Sequence, residues 1–291
     1  MLLLGSTSIV GYNLGRLYPS EIRPVVTSRT RTNVPNQDRL LLDDAATIGQ
    51  FVDAAGSNVV IYCDAVCDVQ KCELNPEWAT EINVNNLRRT LSVLSSHCRL
   101  VYISSDHVFG GDGRYDEHSS CCPISHYGRT RTAAEVLALA RPGTLVIRPG
   151  LPVGPSPDGR TGHMDWLRYR MLRGLPVTII EDEARSAVHT DDLCLRIVQL
   201  ARSPLTGIRH ITATHPVFRP ELAYLLAGYM DIPMNFGIRK RRDQPYPHLG
   251  MVELATCYDD SLAAALPSAM DKFGGEDEEL PLLDALAVEL P

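Results

Sequence analysis

Short aliphatic runs recur through the first half of the chain: LLL near residue 3, RPVVT near 25, NVVIY near 60, RLVYIS near 101 and TLVIR near 146. Each is too short for a buried helix and is separated from the next by a segment with helical spacing. Parallel strands need long crossovers and are covered on both faces, so this rhythm predicts an α/β chain with a doubly wound parallel sheet. One crossover is legible in detail. In NPEWATEINVNNLRRTLSVLSSH, Trp78, Ile82, Leu87, Leu91 and Leu94 fall at helical intervals, and Asn75 and Pro76 supply a start.

After Pro149 the texture changes to GLPVGPSPDGRTGH, a loop rich in Gly and Pro expected to cross near the carboxyl edge of the sheet. A helix HMDWLRYRMLRG, a strand PVTII, a helix after HTDDL and another after FRPELAYLLAGYM follow. This predicts a cofactor-binding unit over residues 1–150 and a smaller α/β substrate lobe over 151–291, with a segment near 187–202 returning to the first unit. The end, GGEDEELPLLDALAVELP, is acidic with apolar spacing and reads as a terminal helix.

Composition removes several classes of function. The 291 residues carry a net charge of -7, which argues against a nucleic-acid surface. No apolar run approaches the roughly 18 residues that span a bilayer, so no membrane role is expected. The opening MLLLGSTSIVG has no basic flank, which predicts a cytoplasmic chain that starts on a buried strand. Eight cysteines are dilute in this length and form no CxxC pair; free thiols are the expectation, with no metal site. Three of the 28 basic residues are lysines, so Arg stands almost everywhere for Lys. The run IRKRR at 238–242 is either a solvated loop or a clamp for a substrate diphosphate.

The turn LLLGSTSIVGYNLGR places Gly5 at the end of the first strand and Gly11 at the start of the first helix. Such a turn offers backbone N–H groups and a helix N-terminus to a diphosphate, with Ser8, Ile9 and Val10 completing the expected cradle. Ser8 puts a Cβ where a third glycine would let the backbone approach phosphate most closely. The second strand ends in VVTSRTR. Enzymes that use NAD usually carry an acid there for the ribose hydroxyls. Ser28, Arg29 and Arg31 offer donors and positive charge, which suits the extra phosphate of NADP.

These residues, with CDVQKCELNPEWATEINV, VYISSDHVFGG, HYGRTR and ARSAVHTDDL, resemble the extended short-chain dehydrogenase/reductases in order and spacing. Within that group the chain is most similar to the dTDP-4-dehydrorhamnose reductase family of sugar-nucleotide-binding proteins, over roughly residues 1–260. The resemblance implies a Rossmann-type fold and an NADP-dependent reductase of a keto group on a nucleotide-activated sugar. It places Ser105 and Tyr127 on the catalytic pair, Arg131 on the family Lys, and Asn83 on an Asn that supports the site. Tyr127 and Arg131 would also touch the cofactor. It puts Asp106, His107, Arg148 and Arg185 on the substrate side, with a structural ion-pair partner an equal reading of Arg148.

The chemistry explains these types. Hydride arrival at a ketone leaves charge on its oxygen, so a proton donor must stand within hydrogen-bond reach. Tyr127 would donate, Ser105 would orient the carbonyl, and a nearby cation would favour the phenolate. Arg131 keeps the charge but presents a larger, planar head. Ala187, Val188 and His189 replace a family Pro-Thr-Tyr, while Asp192 and Leu193 are retained, an acid near a helix start being stabilised by the dipole. His126, next to Tyr127, points about 100° away on a helix and is expected to pack. Two other readings remain open: a non-catalytic regulatory subunit of the same fold, as in the methionine adenosyltransferase regulatory subunit, or a sugar-nucleotide epimerase or dehydratase. A homodimer or an enzyme partner is compatible with each.

Overall fold

The computed structural model describes residues 1–30 and 37–274. Among the described residues a seven-stranded sheet runs in the order Gly207–Ile211, Leu145–Pro149, Arg99–Ile103, Val59–Tyr62, Leu2–Leu4, Arg23–Val26, Asp38–Arg39, and every pairing in it is parallel. The chain starts in the middle, builds to one side, then returns to build the other. This is the doubly wound arrangement expected, and its order reverses between Leu2–Leu4 and Val59–Tyr62. Open sheets of this kind bind ligands in the crevice outside their carboxyl ends at such a reversal.

The aliphatic runs are continuous because both faces are covered. Successive strand residues point to opposite faces. Leu3, Ile61, Val101 and Ile147 pack with Val10, Leu14 and Ile197 on one side. Leu2, Leu4, Val60, Leu100 and Val146 pack with Ile48, Leu87 and Ala134 on the other. The predicted crossover begins at Pro76, runs as Pro76–Thr80, widens into a π-helical turn over Glu81–Asn85 and continues as Asn86–Val93. Widened turns of this kind are frequent at functional sites.

The return segment reaches further than residues 187–202. The helix Thr190–Arg202 packs into the core beside the first helix, Ile9–Leu17, and the strand Gly207–Ile211 adds an edge to the central sheet. That strand escapes a hydrophobicity reading because Arg209 and His210 interrupt it. Both are buried and partnered, Arg209 by Asp260 at 2.6 Å and the face of Tyr258, with its Nε unpaired among the described residues, and His210 by the carbonyl of Ala255 at 2.9 Å. The two later helices begin inside the strings they were expected to follow, as Thr190–Arg202 and Arg219–Tyr229. Asp191 and Asp192 occupy the first turn of one, and Glu221 accepts from the Phe218 amide at the start of the other.

The second lobe holds a four-stranded sheet in the order Val217–Phe218, Ala184–Arg185, Met251–Leu254, Gly113–Tyr115. Gly113–Tyr115 comes from the first half of the chain, so the lobes interleave across the expected boundary at residue 150. The helices His163–Met171 and Arg219–Tyr229 pack with Leu151, Val153, Val177 and Ile179 to form a separate core. Among the described residues no helix is long and apolar enough to cross a membrane. The acidic terminal segment expected to be helical lies outside the described residues.

Candidate active site

The glycine turn sits at the reversal of strand order. Gly5 has φ +95°, and a Cβ there would lie 2.4 Å from the backbone nitrogen of Asp64. A Cβ on Gly11 would lie 2.3 Å from the Gly5 carbonyl oxygen. Only glycine fits either place. Ser8 caps the helix, its hydroxyl donating to the Gly5 carbonyl at 2.9 Å and accepting from the Gly11 amide at 3.0 Å. Its hydroxyl is therefore folded into the turn. Val10 buries its side chain in the core, so Val10, like Ile9, can offer a ligand its backbone amide at the helix start. This cradle fits a dinucleotide diphosphate.

At the end of the second strand, Ser28 is half-buried and Arg29 is exposed, its guanidinium paired with the carboxylate of Asp43. An exposed pair of this kind is weak, roughly 0–1 kcal/mol, so Arg29 can exchange Asp43 for a phosphate. Arg31, expected beside it, lies outside the described residues.

Ser105 and Tyr127 meet beside the carboxyl ends of the strands. Ser105 follows the strand Arg99–Ile103 and caps a short 3-10 turn, Asp106–Val108, by accepting from the His107 amide at 3.2 Å. Tyr127 stands in the first turn of the helix His126–Leu139, which Ser125 caps by accepting from the Gly128 amide at 3.0 Å. The Ser105 hydroxyl donates to Asp106 Oδ1 at 3.2 Å and lies near enough to the Tyr127 phenol to favour its ionised form. Burial pushes that phenol up to about 12, against the downward pull of Arg131 and Ser105. It is a neutral donor at neutral pH. Asn83, on the π-helical turn, bonds both the amide and the carbonyl of Val66, at 2.8 and 3.0 Å, and the Thr130 hydroxyl at 2.9 Å. It ties the loop after Val59–Tyr62 to the helix that carries Tyr127.

Arg131 is 2% exposed, one turn beyond Tyr127. One nitrogen of its guanidinium donates to the carbonyl of Ile103 and its face covers the Tyr102 ring at 4.8 Å. Its Nε and Nη1 have no hydrogen-bond partner among the described residues. A buried unpaired donor costs about 1–3 kcal/mol. The residue that replaces the family Lys thus carries unused donors beside the proton donor, and hydroxyl groups of a cofactor ribose are suited to accept from them.

The substrate side is more charged than the motifs suggested. Asp106 is fully buried, and Arg185 donates to it through Nε at 2.8 Å and through a second nitrogen. This pair lies beneath the site and fixes the turn that holds Ser105. His107 presses its ring edge-on against Tyr127, with centroids 5.0 Å apart. Burial, followed by the charge of Arg185, pushes its imidazole down to about 4, so it is neutral there, and its Nδ1 has no partner among the described residues. Two residues with no sequence motif join this wall. Arg219 donates to His163 Nδ1 at 2.8 Å and lies 4.0 Å from Glu183. Burial acts to raise Glu183, yet His248, Arg219 and Arg185 hold it at about 2.

Arg148 is placed elsewhere. It makes a buried, two-pronged ion pair with Glu135, at 2.9 and 2.6 Å, and covers the Phe109 ring at 5.3 Å. Its guanidinium belongs to the framework behind the site. In IRKRR, Lys240 lies near Glu181, Arg241 near Asp112 and Asp182, and Arg242 near Asp243, which fits the solvated loop. His126 bonds the carbonyl of Pro76 at 2.9 Å and Thr80 at 3.2 Å, the packing role expected. His189 caps the helix Thr190–Arg202, accepting from the Asp191 amide at 3.2 Å.

The model of the RmlD substrate binding domain family matches residues 1–234. The chain is 29% identical over 217 residues to a dTDP-4-keto-6-deoxy-D-glucose reductase of Streptomyces niveus, covering 73% of this chain and 72% of that one. It is 25% identical over 182 residues to a probable low-salt glycan biosynthesis reductase of Haloferax volcanii, covering 60% of this chain and 61% of the relative's length. Methionine adenosyltransferase 2 subunit beta of Xenopus laevis is 24% identical over 258 residues, covering 84% of this chain and 75% of that one. The fold matches that of a dTDP-4-dehydrorhamnose reductase from Bacillus anthracis solved in complex with NADP, with TM-score 0.78 at 19% identity over 94% of this chain and 96% of that one. With the glycine cradle, the Ser105–Tyr127 pair and the supporting Asn83 in place on this fold, the chain belongs to the RmlD substrate binding domain family.

Proposed function

We propose that the chain is an NADP-dependent reductase of a keto group on a nucleotide-activated sugar. The observation that carries this reading is the neutral Tyr127 phenol, with the Ser105 hydroxyl and the Arg131 cation both near enough to act on it. Reductases among its relatives and the NADP held by a protein of the same fold support the cofactor and the substrate class. The amides of the Gly5–Gly11 turn would hold the cofactor diphosphate, Arg29 its 2′-phosphate, and Arg131 its ribose. Bound NADPH supplies the hydride. Ser105 would hold the carbonyl oxygen and Tyr127 would donate its proton as charge develops there, which closes the balance of a reduction. The His107–Arg185–Arg219 wall would face the sugar.

Incubation with NADPH and a panel of nucleotide keto-sugars tests this. Cofactor oxidation with at least one of them, abolished in Tyr127→Phe, is the expected result; no turnover across the panel counts against it. One observation favours a second reading, a regulatory subunit: Methionine adenosyltransferase 2 subunit beta aligns with most of this chain. Stable capture of an enzyme whose kinetics change on binding would distinguish it.

A further inference from the structure

We propose that Asp64 sets the affinity of the dinucleotide site by opposing the phosphates of the cofactor. The inference rests on the cofactor reading above and concerns a residue that no motif singled out. Gly5 follows the strand Leu2–Leu4, whose two neighbours are Arg23–Val26 and Val59–Tyr62. Thr27 follows the first neighbour and Asp64 the second. The Thr27 hydroxyl donates to Asp64 Oδ1 at 2.6 Å, so the bond joins the two outer strands across the carboxyl end of the middle one. That is where the Gly5 turn begins, with the backbone of Cys63 and Asp64 pressed against Gly5 so closely that a Cβ there would lie 2.5 Å from the Cys63 carbonyl carbon.

Asn86 donates to the other oxygen, Oδ2, at 3.1 Å and fixes the carboxylate in place. Neither donor is charged, and Asp64 takes part in no ion pair among those found in the described residues. Burial pushes its carboxyl above the usual carboxylate range, against the hydrogen bonds from Thr27 and Asn86 and the more distant guanidinium of Arg131, which favour the charged form. Asp64 is 9% exposed, so little water screens it. A helix N-terminus and a glycine turn draw phosphate to this crevice, and a fixed carboxylate at its floor acts against them with the opposite sign. The turn sets where the cofactor binds, and Asp64 sets how tightly.

The test is titration of the full chain with NADPH and with NADH, followed by fluorescence, for the unaltered protein, Asp64→Asn, Asp64→Ala and Thr27→Val, with thermal melting as the fold control. Asp64→Asn keeps the shape while removing the charge; its Oδ1 can accept from Asn86, and its Nδ2 can donate to the Thr27 hydroxyl, which then acts as acceptor. NADPH binding is expected to tighten at least tenfold in Asp64→Asn and Asp64→Ala, with a smaller gain for NADH, which has one phosphate fewer. Thr27→Val, which leaves the charge, should stay within threefold. NADPH binding that is unchanged or weaker in a folded Asp64→Asn overturns the inference and marks the carboxylate as a ribose acceptor or a framework group. If neither the unaltered protein nor Asp64→Asn binds either dinucleotide while both remain folded, the cofactor reading falls with it.

Discussion

Arg131→Lys introduces the cation that the family resemblance implies at this position, and the structure supplies its consequences. The guanidinium donates once, to Ile103, and covers Tyr102 at 4.8 Å, while two further nitrogens have no partner. A lysine ammonium can keep the bond to Ile103 and the field on Tyr127. It loses the planar stacking on Tyr102, worth about 1–2 kcal/mol when desolvated. Two of its three N–H groups stay unpaired in the unliganded protein, as Nε and Nη1 of the arginine do, and its head is more strongly hydrated. The lost stacking is the main change, so stability should fall by no more than about 2 kcal/mol, a shift of roughly 3 °C in Tm for a chain of this size. A compact ammonium with two donors left over can bond a ribose hydroxyl, and one hydrogen bond to a charged group is worth about 1.5–3 kcal/mol, or roughly 10- to 150-fold in affinity. Thermal melting and NADPH titration read the two effects separately. A loss above about 4 kcal/mol with no gain in binding would show Arg131 to be a structural strut and refute its place at the cofactor.

Three further outcomes follow from the same geometry. Glu135→Ala leaves Arg148 buried without its carboxylate and should cost about 3–5 kcal/mol in urea unfolding, whereas Glu135→Leu with Arg148→Met should cost much less; equal losses would contradict the burial argument. With the Tyr127 phenol held at about 12, the protonated donor is complete through neutral pH, so keto-sugar reduction should show no Tyr127 step between pH 6 and 9. The reverse oxidation needs the phenolate and should rise about tenfold per pH unit over that range; a plateau below pH 9 would place the phenol much lower. Gly5→Ala forces a Cβ into the Asp64 backbone at φ +95° and should abolish dinucleotide binding or folding, and normal binding in a folded Gly5→Ala would contradict the proposed cradle.

The parts legible in the sequence are those fixed by local chemistry. Strands buried on both faces must be apolar throughout, so Leu2–Leu4, Val59–Tyr62 and Leu145–Pro149 announce themselves, and Pro76 marks a helix start because its missing N–H does no harm there. Gly207–Ile211 is hidden because Arg209 and His210 are made tolerable by Asp260, Tyr258 and Ala255, which arrive from later in the chain. The site divides in the same way. Ser105, Tyr127, Arg131 and Asn83 lie in ordered motifs, and the fold sets Tyr127 and Arg131 one turn apart on a helix that Asn83 bonds through Thr130. Asp106, Arg148 and Arg185 stand in those motifs too, yet their charges are taken up by partners that only the tertiary fold supplies. Asp64, His163 and Arg219 had no motif to mark them, since their surroundings depend on strand neighbours and on the second lobe. A buried acid at the end of a strand beside the glycine turn was the one available signal for Asp64.

The most direct measurement of reductase function follows the hydride itself. NADPH carrying deuterium at the transferred position is incubated with the protein and a nucleotide-activated 4-keto sugar, and the sugar product is read by mass spectrometry. Deuterium is expected on the reduced carbon with the unaltered protein. Tyr127→Phe should transfer it about 10²–10⁴-fold more slowly while binding NADPH as before. Unlabelled sugar from a protein that binds the cofactor, or equal transfer by Tyr127→Phe, would contradict the account.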